Sequence, residues 1–194
     1  MPNARVGVIH GRFQPLHVGH LEYLLAGSAR CELLVVGITN PDPAATVREE
    51  TDLARGEAAA NPCTFYERLV MVEGALAESG VARDAFRIVP FPHGNPELLR
   101  YYAPHDATYF LTIYDAWGET KLRRFTELGL RTDVMWRRGA KVTSGTELRE
   151  RIARRRPWEH LVPRAVAAAI RDFGIDARLE QAAAAQRDLT PAVP

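Results

Sequence analysis

Five short apolar runs rich in β-branched residues punctuate the chain, at 6–9 (VGVI), 33–38 (LLVVGI), 87–91 (RIVPF), 108–112 (TYFLT) and 132–136 (TDVMW). Segments with helical spacing separate them, such as 18–29, where Leu21, Leu24 and Leu25 share one face. Continuous apolar strands that alternate with amphipathic helices can bury both of their faces only in a parallel sheet covered on both sides. The pattern therefore predicts an α/β fold, a Rossmann-like five-stranded parallel sheet with helices on both faces and a C-terminal helical extension. A chain of 194 residues suits one domain, placed at 1–178, with 179–194 as a helical or disordered tail.

Local signals set the helix boundaries. Thr64 and Glu67 form a capping box ahead of Leu69, Val72 and Leu76, and Ser144 with Glu147 forms another ahead of LRERIARRR. Asn95 followed by Pro96 marks a weaker start, Gly129 ends a helix over 118–128, and Pro157 opens a last helix running towards Phe173. The connection 39–63 far exceeds the usual roughly 2–6 residues between strand and helix. It is either a lid over a site or a disordered insertion.

The 25 basic and 24 acidic residues leave a net charge of +1 and no basic field of the kind that nucleic-acid binding relies on. Cys31 and Cys63 are too few for a zinc cluster or a disulfide framework. No apolar run approaches the roughly 20 residues of a membrane span, and the N-terminus carries no leader pattern. These features predict a cytoplasmic protein with neither nucleic acid nor membrane as partner, and they leave a homo-oligomer open.

In open parallel sheets, ligands bind beyond the carboxyl ends of the strands, where strand order reverses. The polar clusters His10–His20, Thr39–Asp42, Pro92–Asn95, Thr112–Asp115 and Arg137–Ser144 all fall on that rim. The sharpest is GRFQPLHVGH at 11–20. Gly11 frees the turn, Pro15 stiffens it, and Gly19 leaves the helix start open to phosphates, which the helix dipole favours. His17 and His20 lie one helical turn apart, so both rings can address one anion and stabilise charge moving onto departing pyrophosphate. The plainer alternative is that the two histidines cap the helix.

This stretch resembles the His-x-Gly-His signature of the nucleotidyltransferase superfamily, and its GRFQP lead-in, with Arg12, is similar to the archaeal-type nicotinamide mononucleotide (NMN) adenylyltransferases. TSGTELRERI at 143–152 resembles the superfamily's second signature, and the likeness continues through NPCTFYERLVM at 61–71 and RRRPWEHLVPRAV at 154–166. The resemblance implies that His17 and His20 are catalytic, and that Ser144, Thr146 and Arg149 grip the triphosphate. The residues support this on their own terms, since Gly145 and two hydroxyls at a capped helix start offer donors and Arg149 adds a fixed fork.

Where the NMN enzymes have a Gly-Asn-Pro turn after the fourth strand, this chain reads LTIYDAWGETK at 111–121. The long 39–63 connection is a second departure, and with this combination the sequence resembles the cytidylyltransferases of phosphonate antibiotic biosynthesis, which join CMP to a small phosphonate. The resemblance implies an acceptor pocket drawn from Tyr66, Arg68, Thr112, Tyr114, Asp115 and Trp117, with ordinary core packing as the competing role for the two aromatic residues at 114 and 117. It also implies in-line attack by a phosphonate or phosphate oxygen on the α-phosphorus of a nucleoside triphosphate, with Mg²⁺ on the phosphates. No acidic cage is visible, so the ion is expected to be held by substrate oxygens and water rather than by protein ligands. An NMN adenylyltransferase and a non-catalytic nucleotide sensor are the rival readings.

Overall fold

The computed structural model describes residues 4–42, 60–140 and 142–188. Most of the 39–63 connection therefore lies outside the described residues, and so does the end of the tail. All five expected strands form: β1 (Ala4–Gly11), β2 (Cys31–Thr39), β3 (Phe86–Phe91), β4 (Thr108–Ile113) and β5 (Arg131–Arg137). Every pairing is parallel and the order is β3-β2-β1-β4-β5, so the strand order reverses between β1 and β4. The helices are α1 (Val18–Ser28), α2 (Phe65–Glu78), α3 (Ala116–Glu127), α4 (Gly145–Ala153), α5 (Arg164–Asp172) and α6 (Ile175–Asp188).

The helices are shared unequally between the faces. Leu24 of α1, Met71 and Leu76 of α2, Leu148 of α4, Ile170 of α5 and Leu179 of α6 are buried with Ile9, Leu34 and Ile38 on one face. The other face packs Val8, Val35 and Tyr109 under Phe125 of α3 and Leu99, which belongs to a 3-10 turn at Pro96–Tyr101. Helix α1 approaches β1 closely because Gly27 has no side chain, and a Cβ there would overlap Ile9 Cδ1.

The capping signals hold with two changes. Thr64 and Glu67 make the reciprocal box at α2. Ser144 accepts from Glu147 N at 3.1 Å, but the Glu147 carboxylate does not return to the cap, because Thr143 Oγ1 (3.2 Å) and Arg151 Nε (3.1 Å) engage it. The last helix starts later than Pro157 predicts. Pro163 has no N–H and holds Val162 extended at φ −133°, ψ 156°, so α5 begins at Arg164. Gly174, at φ +61°, then separates α5 from α6. The boundary expected at 178/179 falls inside α6, whose Leu179 is buried. Among the described residues no helix is long and apolar enough to cross a membrane.

Candidate active site

The turn from β1 into α1 is fixed by its own side chains. Phe13 takes φ +51° and is fully buried, edge-on to the His20 ring at 5.0 Å. His17 is the N-cap of α1. Its Nδ1 accepts from His20 N at 3.3 Å, and His20 Nδ1 accepts from His17 N at 3.4 Å, so the two histidines form a capping box with each other. Their rings stack at 3.7 Å with 20° between planes. With both Nδ1 atoms accepting, each neutral ring carries its proton on Nε2. The pair therefore does cap the helix, and capping leaves Nε2 as the donor of each ring. It also takes up two N–H groups at the helix start, those of the N-cap His17 and of His20. Gly19 lies over this stack, where a Cβ would be 3.3 Å from the His17 ring and 3.8 Å from Thr143 O.

That last contact brings the second motif to the first. Arg149 Nη1 donates to Gln14 O at 2.8 Å and Nη2 to Thr146 Oγ1 at 3.3 Å. Gly145 makes room for this bond, because a Cβ there would stand 3.1 Å from Arg149 Nη1 and 3.4 Å from Gln14 O. The starts of α1 and α4 thus converge on one rim with His17, His20, Ser144, Thr146 and Arg149 around them. Hydroxyl, imidazole and guanidinium donors gathered at two helix starts suit a polyphosphate.

The acceptor candidates do not form one pocket. Arg68 is 2 % exposed and its guanidinium is committed to main-chain carbonyls: Thr64 O (3.1 Å), Arg12 O (3.1 Å), Thr39 O (2.6 Å) and Asn40 O (2.9 Å). Burial pulls its pKa down to about 10. It ties the Arg12 turn and the end of β2 to the start of α2, a structural role in place of the expected ligand contact. Tyr66 is 65 % exposed and meets Phe173 edge-on at 6.2 Å, turned outward over the C-terminal helices. Trp117 lies under the Arg124 guanidinium at 5.3 Å along α3. Asp115 is the N-cap of α3, accepting from Gly118 N at 3.0 Å. Tyr114 accepts from Trp136 Nε1 at 2.9 Å. Tyr114 and Asp115 do line an open cleft of about 400 Å³ with Ile113, Glu119, Arg137, Arg138 and Gly139, whereas Thr112 and Trp117 are not among its walls. Arg138 there pairs with Glu22 at 2.7 Å and stacks on Trp136 at 4.5 Å.

Sequence reasoning passed over Gln14. Its buried amide grips Cys63 from both sides, Oε1 accepting from Cys63 N at 2.8 Å and Nε2 donating to Cys63 O at 2.9 Å. An uncharged residue inside a recognised motif gives no chemical signal of such a role. Arg12 contributes to the same scaffold through its carbonyl, and Gly11 lies beside the buried Phe13 ring, whose atoms a Cβ would meet at 2.9 Å.

The family model described as cytidylyltransferase-like matches residues 8–151. The chain is 64 % identical over 176 residues to the phosphonoformate cytidylyltransferase of Streptomyces viridochromogenes, covering 91 % of this chain and 96 % of that protein. It is 28 % identical over 173 residues to the nicotinamide-nucleotide adenylyltransferase of Thermococcus kodakarensis, covering 86 % and 82 % respectively. Among solved structures, a bifunctional NMN adenylyltransferase/ADP ribose pyrophosphatase from Francisella tularensis, complexed with AMP and a manganese ion, superposes with a TM-score of 0.67 at 17 % identity. That match covers 100 % of this chain and 58 % of the bifunctional protein, and it reports on fold alone. The match of the family model over most of the chain and the 64 % identity along almost all of both chains make this protein a member of the cytidylyltransferase-like family.

Proposed function

We propose that this protein is a cytidylyltransferase that transfers CMP from CTP to a small phosphonate, phosphonoformate being the favoured acceptor, in the assembly of a phosphonate natural product. The observation that carries the reading is the 64 % identity, along almost the whole length of both chains, to a phosphonoformate cytidylyltransferase.

In this mechanism a phosphonate oxygen attacks the α-phosphorus of CTP in line. A P–O bond forms between acceptor and CMP while the α–β bridging P–O bond breaks, its electron pair leaving with pyrophosphate. No covalent enzyme intermediate is needed, so the protein contributes position and charge neutralisation. His17 and His20 direct Nε2–H donors at the phosphates, and Ser144, Gly145, Thr146 and Arg149 hold the β- and γ-groups beside the Gly11–Arg12 turn and Gly19. Among the described residues no group of three or more His, Cys, Asp or Glu side chains could hold a metal ion. When bound with the nucleotide, Mg²⁺ would supply further charge neutralisation at the triphosphate.

The test is pyrophosphate release from purified protein with Mg²⁺, crossing CTP and ATP against phosphonoformate and NMN. Turnover confined to CTP with the phosphonate is expected. Turnover confined to ATP with NMN would overturn the reading.

A further inference from the structure

On the α3 face of the sheet, at the rim where β1 and β2 end, two buried polar atoms have no hydrogen-bond partner among the described residues: His10 Nδ1 and Thr39 Oγ1. His10 is 7 % exposed and Thr39 3 %. The register puts them on one face, because His10 pairs with Gly37, two residues before Thr39, and alternate strand residues point the same way. Thr39 in turn pairs with Phe91 of β3. The His10 ring stacks on Phe91 at 4.8 Å and 16° and tilts against Phe125 of α3 at 5.2 Å. Gly37 permits this, since a Cβ there would come within 2.5–2.8 Å of Phe91 atoms. The two polar groups thus share one face of the sheet at the ends of β1 and β2, with the Phe91 and Phe125 rings against His10.

Folded proteins rarely leave buried polar atoms unpaired, and two at adjacent strand ends, with no partner among the described residues, suit a bound ligand. The donors decide its chemistry. Thr39 offers a hydroxyl hydrogen, and His10, which burial holds neutral by pulling its pKa well below the ordinary value, offers an N–H at this atom in its Nδ1–H tautomer. The groups that bear on His10 are Lys121 and His93, both basic side chains. Two donors beside basic side chains suit a small anion. The His17–His20 pair stands at the start of α1, which packs on the opposite face through Leu24 and Ile9. One strand end, β1 at Gly11, separates the two groups, and neighbouring strands are roughly 5 Å apart.

Building on the function proposed above, we propose that His10 and Thr39 bind the carboxylate of the acceptor, leaving its phosphonate oxygens to reach across the end of β1 to the α-phosphorus. The enzyme then selects phosphonates that carry a carboxyl group. The Tyr66–Arg68 region plays no part in that choice.

The experiment compares phosphonoformate with methylphosphonate, which lacks the carboxylate, in CTP-dependent pyrophosphate release by wild type, Thr39→Val and His10→Phe. Wild type is expected to favour phosphonoformate strongly. Thr39→Val keeps the shape and loses one hydrogen bond to a charged group, so it should raise the KM for phosphonoformate by about 10- to 100-fold while the KM for CTP stays unmoved. Its melting temperature should not fall, because the hydroxyl it removes has no protein partner. His10→Phe preserves the stack and should likewise erode the preference. Equal use of both phosphonates by wild type needs no variant to interpret. It would overturn this subsite and leave the cytidylyltransferase reading standing, as would an unchanged KM for phosphonoformate in the two variants. A wild type that joins CMP to neither compound overturns both.

Discussion

His20 is held by the same contact that positions it. Its Nδ1 accepts from His17 N, which leaves Nε2 as the donor in the proposed chemistry. Replacing it with Ala should lower kcat by about 10²–10³, the usual effect of removing one donor aimed at developing charge. The lost cap should cost about 1 kcal/mol of stability besides. Steady-state pyrophosphate release reads the first effect and thermal unfolding the second, and unchanged turnover would contradict the assignment. Gln14 behaves differently. Gln14→Leu strands both the N–H and the C=O of buried Cys63, so it should destabilise the fold by about 1–3 kcal/mol for each unpaired group, measurable by urea unfolding. The histidines were legible from spacing, because two titratable side chains one turn apart at a helix start form a chemical pattern. Gln14 and Arg68 were not, because their partners are main-chain atoms 49 and up to 56 residues away in sequence.

At the level of elements, α6 is tied to α2 by Arg178, which donates to both carboxylate oxygens of Glu67 at 2.9 and 3.1 Å and to Pro62 O. Burial alone would raise the Glu67 carboxyl, but the hydrogen bonds from Arg178 and Thr64 outweigh it and hold the pKa below its ordinary value. A depressed carboxylate contributes stability above its unfolded pKa and loses it as pH falls through the folded value. Thermal stability should therefore drop as pH falls below about 4, and Arg178→Gln should flatten that drop. The variant should cost about 1 kcal/mol at neutral pH, since the Arg178 side chain is 42 % exposed and solvent screens the pair. An acid profile identical to wild type would contradict this account. Gly27→Ala, which drives a methyl into Ile9 in the fully packed core, should cost about 1–3 kcal/mol by denaturant unfolding. Strands and caps could be read from sequence because each depends on a few neighbouring residues. The start of α5 could not be settled that way, since Pro157 and Pro163 both satisfy the local rule and only packing decides between them.

Across the whole molecule, the reversal of strand order between β1 and β4 creates the rim, and the motifs at 11–20 and 143–152 meet there through the Arg149–Gln14 bond. The meeting of the two motifs was legible because each is one contiguous stretch. The scaffold role of Arg68 and the outward turn of Tyr66 were not, because both depend on partners distant in sequence. The shared face of His10 and Thr39 appears only when burial and register are known. The central claim is the bond that the enzyme forms. Phosphorus NMR of a reaction containing CTP, phosphonoformate and Mg²⁺ should show two new, mutually coupled signals from a phosphonate joined to CMP, rising together with pyrophosphate. Unchanged CTP and phosphonoformate under conditions where ATP and NMN yield a dinucleotide would contradict it.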